Sequence, residues 1–137
     1  MKRIANIGYW FLLTSLFVES MSLGHLTSSD YVLGRLFGFQ RAYPWSHWFR
    51  VLGGLFVCLL GFFTTSTVLL QRPWSKQLVA MFCSVAIVFI LARALSAQSW
   101  DWWYASEFCF LPVAVLAYLA FSWRGSRLDA HKVGQFS

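Results

Sequence analysis

Residues 78–97 decide the fold, and they have the sequence LVAMFCSVAIVFILARALSA. Arg93 is the only charged side chain in this stretch. A helix rises 1.5 Å per residue, so about 20 residues cross the roughly 30 Å of hydrocarbon in a bilayer. The apolar run is continuous rather than alternating, which favours a membrane-spanning helix over a strand of a β-barrel.

Three further runs of the same kind lie elsewhere in the chain, at about residues 4–23, 49–70 and 103–123. Lipid offers no hydrogen-bond partners to the backbone, so each run must satisfy its own N–H and C=O groups as a helix. The sequence therefore predicts an all-α integral membrane four-helix bundle. Residues 1–137 form one transmembrane domain, and residues 124–137 form a basic cytoplasmic tail.

The composition agrees with this class of protein. The chain has 137 residues, of which 58% are hydrophobic and only 12% are charged. A soluble domain carries about 25% charged residues. This deficit excludes a soluble enzyme and a disordered tail. The net charge of +6 comes from basic residues scattered between apolar runs, so it does not indicate nucleic-acid binding.

The first connection, at about residues 24–48, is long enough to have structure of its own. Ser28, Ser29 and Asp30 form a helix N-cap pattern ahead of the apolar residues in 31–39. With Arg35 and Arg41 on the polar side, this pattern predicts a short interfacial helix between the first and second spans, ended by Pro44.

The distribution of basic residues predicts that both termini are cytoplasmic. That orientation puts seven basic residues inside: Lys2, Arg3, Arg72, Lys76, Arg124, Arg127 and Lys132. Three lie outside: Arg35, Arg41 and Arg50. The alternative is that Lys2-Arg3 and the following apolar run are a cleaved signal peptide, which would leave three spans. The acidic Glu19 and the lack of a small-residue cleavage site argue against it.

Four ionisable residues lie in the predicted spans: Glu19, Arg50, Arg93 and Glu107. All four fall within roughly 6–8 Å of the predicted outer helix ends. Charges in membrane helices are costly, and arginine binds carboxylates in a bidentate way. We therefore expect a layer in which the two glutamates face the two arginines, with the pairing left open. The layer either locks the helices in register or binds a polar head group, a quinone ring or an anion. Alternatively, Arg50 reaches the head groups and Glu107 lies near water.

The second span carries a stripe of small residues at Gly53, Gly54, Cys58 and Gly61. Such stripes let helix backbones approach closely, either inside the bundle or in self-association. Pro112 is expected to bend the fourth helix close to Glu107. The three cysteines have no CxxC spacing, so the sequence predicts no metal site.

Between residues 50 and 121 the chain is similar to the DoxX-like family of small bacterial four-helix membrane proteins. The similarity lies in RVLGG at 50–54, Gly61, RALS at 93–96 and Glu107. It implies a four-helix bundle in the bacterial inner membrane. It also implies a link to quinone- or sulfur-dependent redox complexes, because some relatives are associated with them.

From these features we expect a non-catalytic accessory or binding subunit that acts within the membrane. One alternative is a small quinone-linked redox component, in which Arg93 donates to a quinone carbonyl and Glu107 handles a proton. Another is a small-solute transporter. The expected partners are the lipid bilayer and either other membrane-complex subunits or a second copy of the chain, without nucleic acid.

Overall fold

The computed structural model describes the backbone of residues 2–38, 44–96 and 102–133 and the side chains of residues 7–38, 46–95 and 105–122. The described backbone forms four helices: α1 (Lys2–Leu36), α2 (Pro44–Leu69), α3 (Ser75–Ser96) and α4 (Trp102–Val133). Each helix contains a segment long and apolar enough to cross a bilayer: Ile7–Leu36, Ser46–Leu69, Ser75–Leu95 and Ala105–Ser122. The prediction of an all-α, multi-pass membrane bundle is confirmed.

The helices are arranged in a ring, in which α1 packs on α2 and α4, while α3 packs on the same two helices from the opposite side. The α1–α2 pair is antiparallel, because Gly61 meets Ser20 and Gly54 meets Thr27. The end of the bundle at which α1 ends and α2 begins is called the distal end here. The opposite end, at which α1 begins, is called the proximal end.

A narrow core fills the ring, and the outside of the ring is apolar as well. Leu16, Leu23, Val79 and Phe82 are fully buried between the helices. Large apolar side chains exposed on the outside come from all four helices: Trp10, Phe17, Phe56, Val88, Phe110 and Phe121. Soluble proteins rarely expose so much contiguous apolar surface, whereas lipid tails cover it without cost. The outer surface is therefore suited to contact with the bilayer.

The expected interfacial helix is wrong for the described residues, because α1 continues without a break to Leu36. The hydroxyls of Thr27, Ser28 and Ser29 donate to backbone carbonyls four residues earlier, over 2.8–3.0 Å. Hydroxyls bonded in this way are accommodated inside a helix and do not cap the start of a new one. Phe39 and Arg41 of the expected helix lie outside the described residues.

One further boundary differs from the prediction. Pro44 does not end a helix but begins α2, a position that suits its fixed φ and missing N–H. The fourth helix extends to Val133, so the backbone of residues 124–133 of the predicted tail is helical. Pro112 is buried inside α4, which continues through it.

The α2–α3 turn is closed by a Schellman motif. The N–H of Arg72 donates to the carbonyl of Thr67 at 3.1 Å, and the N–H of Gln71 donates to that of Val68 at 3.0 Å. Gln71 has a φ of 52°, the left-handed conformation that this motif requires. The motif ends α2 sharply and lets α3 pack back against it.

Candidate functional site

Asp30 of α1 and Arg93 of α3 form a bidentate ion pair. Nε of Arg93 donates to Oδ2 of Asp30 at 2.8 Å, and Nη2 donates to Oδ1 at 2.7 Å. The side chains of Asp30 and Arg93 are only 12% and 22% exposed. Since α1 and α3 lie diagonally across the ring, the pair connects two helices whose described backbones do not pack on each other.

Arg50 of α2 belongs to the same level of the bundle. Its half-buried guanidinium interacts electrostatically with both Asp30 and Arg93. The attraction to Asp30 opposes the repulsion between the two guanidinium groups. Asp30, Arg50 and Arg93 are called the distal polar layer below, and they come from three different helices.

The predicted pairing of Glu19 and Glu107 with the two arginines is not what the structure shows. Arg93 binds Asp30 instead, and the side chain of Glu107 is exposed. Glu19 lies eleven residues before Asp30, which is about 16 Å along the helix axis. Glu19 is therefore too deep in the bundle to meet a guanidinium of the distal polar layer.

The sequence did contain a signal for Asp30. Eleven residues correspond to about three helical turns, so Glu19 and Asp30 lie on the same face of one continuous helix. A first span that ends at residue 23, with Asp30 as part of an N-cap, does not contain this relation.

Glu19 forms a second polar feature, near the middle of the Ile7–Leu36 span. The residue is 3% exposed, and its Oε1 atom has no hydrogen-bond partner. Its carboxyl interacts electrostatically with the thiols of Cys83 on α3 and Cys109 on α4. A titratable group thus lies between three helices in the interior of the bundle.

The predicted small-residue stripe lies at helix contacts within the bundle. A Cβ on Gly54 would collide with Thr27 of α1, and one on Gly61 would collide with Ser20 of α1 and lie 2.9 Å from Phe82 of α3. Cys58 donates from Sγ to the carbonyl of Ser20 at 3.3 Å.

Gly53 faces α3, where a Cβ would come within 2.7 Å of the Phe89 ring. Its lack of a side chain lets α2 approach α3 at the same height at which Gly54 lets α2 approach α1. Together the glycines of the stripe allow α2 to pack closely on both neighbours.

Another buried polar side chain lies on α2. His47 is buried near the distal end against Gly34, and its Nε2 atom has no hydrogen-bond partner. Within the described residues, no group of three or more His, Cys, Asp or Glu side chains could hold a metal ion. No protein-family model, curated protein or solved structure matches this chain.

Proposed function

We propose that this chain is a non-catalytic accessory or binding subunit of a membrane complex. The proposal places it in the bacterial inner membrane with both termini cytoplasmic, in keeping with its resemblance to the DoxX-like family. The observation that supports it best is the Asp30–Arg93 pair. Each carboxylate oxygen of Asp30 accepts a hydrogen bond from a different nitrogen of Arg93. These charges therefore stabilise the packing of the bundle.

The distal polar layer also suggests where a partner binds. Arg50 lies four residues into the Ser46–Leu69 span, about 6 Å from the distal end. Trp48 and Phe49 precede it and are 40% and 46% exposed. Aromatic and arginine side chains are the residues that contribute most to protein interfaces. We propose that an acidic group of a partner subunit binds beside Arg50 and contacts these two rings.

The alternative functions receive less support from the geometry. In the quinone hypothesis Arg93 donates to the quinone and Glu107 handles the proton. Two nitrogens of Arg93 already donate to Asp30, and Glu107 is exposed rather than directed at Arg93. A transporter would need a polar path through the ring, and large apolar side chains such as Phe82 and Leu23 fill its interior.

Native mass spectrometry after extraction in a lipid-retaining copolymer tests the proposal. We expect a particle heavier than the 15.8 kDa chain by the mass of a second polypeptide. Arg50→Ala should release that polypeptide. Arg35→Ala is the matched control, since Arg35 is also near the distal end but is exposed and contacts Tyr31 of its own helix. A wild-type protein that carries no second polypeptide would refute the subunit proposal, and equal retention in both variants would refute the role of Arg50.

A further inference from the structure

The carboxyl group of Glu19 is buried, and its Oε1 atom has no hydrogen-bond partner. A carboxylate that is removed from water and has no cationic partner is strongly destabilising, in the interior of a protein and in a membrane alike. Two thiols interact electrostatically with Glu19 from other helices: Cys83 on α3 and Cys109 on α4. On α2, the thiol of Cys58 donates to the carbonyl of the adjacent Ser20. No basic side chain among the described residues forms an ion pair with Glu19.

The polar surroundings of Glu19 are one-sided. Gly61 meets Ser20, so Thr64 and Thr67 of α2 lie about one and two turns further toward the proximal end, Thr64 slightly above the height of Ser15 and Thr67 slightly below it. Ser15, Thr64 and Thr67 are all buried. Thr64 and Thr67 donate their own hydroxyl protons to carbonyls of α2, over 2.7 and 2.8 Å. Their oxygen lone pairs can still accept a hydrogen bond.

Toward the distal end, the interior contains apolar side chains. Leu23 follows Glu19 by one turn on α1 and is fully buried. The other buried side chains between Glu19 and the distal polar layer are also apolar: Val57, Ala86, Phe89 and Ile90. This apolar layer separates the Glu19 carboxyl from the Asp30–Arg93 pair.

We propose that Glu19 is a proton-binding site inside the membrane. The carboxylate takes one proton from water at the proximal end and becomes a neutral carboxylic acid, which removes the uncompensated charge. The proton enters from the proximal side, where the oxygens of Ser15, Thr64 and Thr67 can accept hydrogen bonds, and apolar side chains around Leu23 fill the interior toward the distal end. This role goes beyond that of a binding subunit and does not require a partner.

Infrared spectroscopy of the reconstituted protein at neutral pH tests the site directly. Glutamate occurs only at positions 19 and 107, so ¹³C-labelled glutamate reports two carboxyl groups. In Glu107→Gln the label reports Glu19 alone, and we expect the C=O stretch of a protonated acid. In Glu19→Gln the label reports the exposed Glu107, which supplies the reference spectrum. Carboxylate bands from Glu19 in Glu107→Gln would overturn the proposal, whether or not Glu19→Gln folds.

The route to the site has its own test. After transfer to D₂O, the acid band of Glu19 shifts as its proton exchanges. Thr64→Val should slow that shift by about tenfold, because one hydrogen-bonding step is lost. Ser66→Ala is the matched control, since Ser66 is an exposed hydroxyl on the same helix. Equal exchange rates in the two variants would overturn the proximal route.

Discussion

The Asp30–Arg93 pair makes a quantitative prediction about stability. Removing one partner of a fully buried ion pair costs about 3–5 kcal/mol, whereas an exposed pair contributes about 0–1 kcal/mol. With exposures of 12% and 22%, this pair is close to the buried limit. We expect Asp30→Asn to lower the free energy of unfolding by about 2–4 kcal/mol. It leaves Arg50 and Arg93 near each other without the carboxylate that offsets their repulsion.

The two single substitutions should not be equivalent. Arg93→Gln leaves Asp30 with the favourable charge of Arg50, so it should cost less, about 1–2 kcal/mol. The double variant should reveal a coupling energy of about 1–2 kcal/mol, near the upper end of interhelical hydrogen bonds in membranes. Swapping the two residues, with Asp30→Arg and Arg93→Asp together, should recover part of the loss.

The assay is titration of SDS into the protein in mixed micelles while helical ellipticity is followed. Glu107→Gln is the control, because it removes an exposed carboxylate of the same bundle and should change the free energy of unfolding by no more than about 0.5 kcal/mol. If Asp30→Asn lowered the free energy of unfolding no more than Glu107→Gln does, the Asp30–Arg93 pair would not stabilise the bundle, and the argument from its burial would be wrong.

Two further predictions concern packing and orientation. Gly54→Leu should lower the free energy of unfolding by about 1–3 kcal/mol, because even its Cβ would collide with Thr27. Leu55→Ala, at the exposed neighbouring position, is the control and should be nearly neutral in the same SDS titration. Equal effects of the two substitutions would contradict the close α1–α2 contact. In a chain with its native cysteines replaced by serine, a membrane-impermeant maleimide added to intact cells should label a cysteine at position 37 but not one at position 76. The reverse labelling would show that the termini are not cytoplasmic.

Much of the fold could be predicted from the sequence, because the signal for a membrane helix depends only on length and hydropathy. The stretch around Arg93 is apolar for a full membrane thickness, and α3 in the structure runs from Ser75 to Ser96. The end of the first helix could not be found in this way. Thr27, Ser28 and Ser29 are polar residues that look like a break, and only their bonds to the preceding turn show that the helix continues.

The partner of Arg93 could not be predicted for the same reason. A first helix that ends at residue 23 puts Glu19 at the depth of the arginines. When α1 extends to Leu36, the level of the arginines is occupied by Asp30, and Glu19 moves to the interior. Apolar residues surround Arg93 on both sides, so its position within the third span can be read from the sequence. Partner choice depends on the axial register between helices, and the hydropathy of single segments does not contain that information.

Glu19 and Asp30 thus lie on one face of α1 but in different electrostatic environments. Asp30 has two guanidinium groups near it, and its ion pair with Arg93 ties α1 to α3. Glu19 has thiols and hydroxyls near it, which cannot neutralise a carboxylate but can surround a neutral acid. About 16 Å of helix and a layer of apolar side chains lie between them, a distance at which substitutions act independently. The distal polar layer can therefore hold the bundle rigid while Glu19 gains or loses a proton, because the ion pair that fixes the helices does not depend on the charge of Glu19.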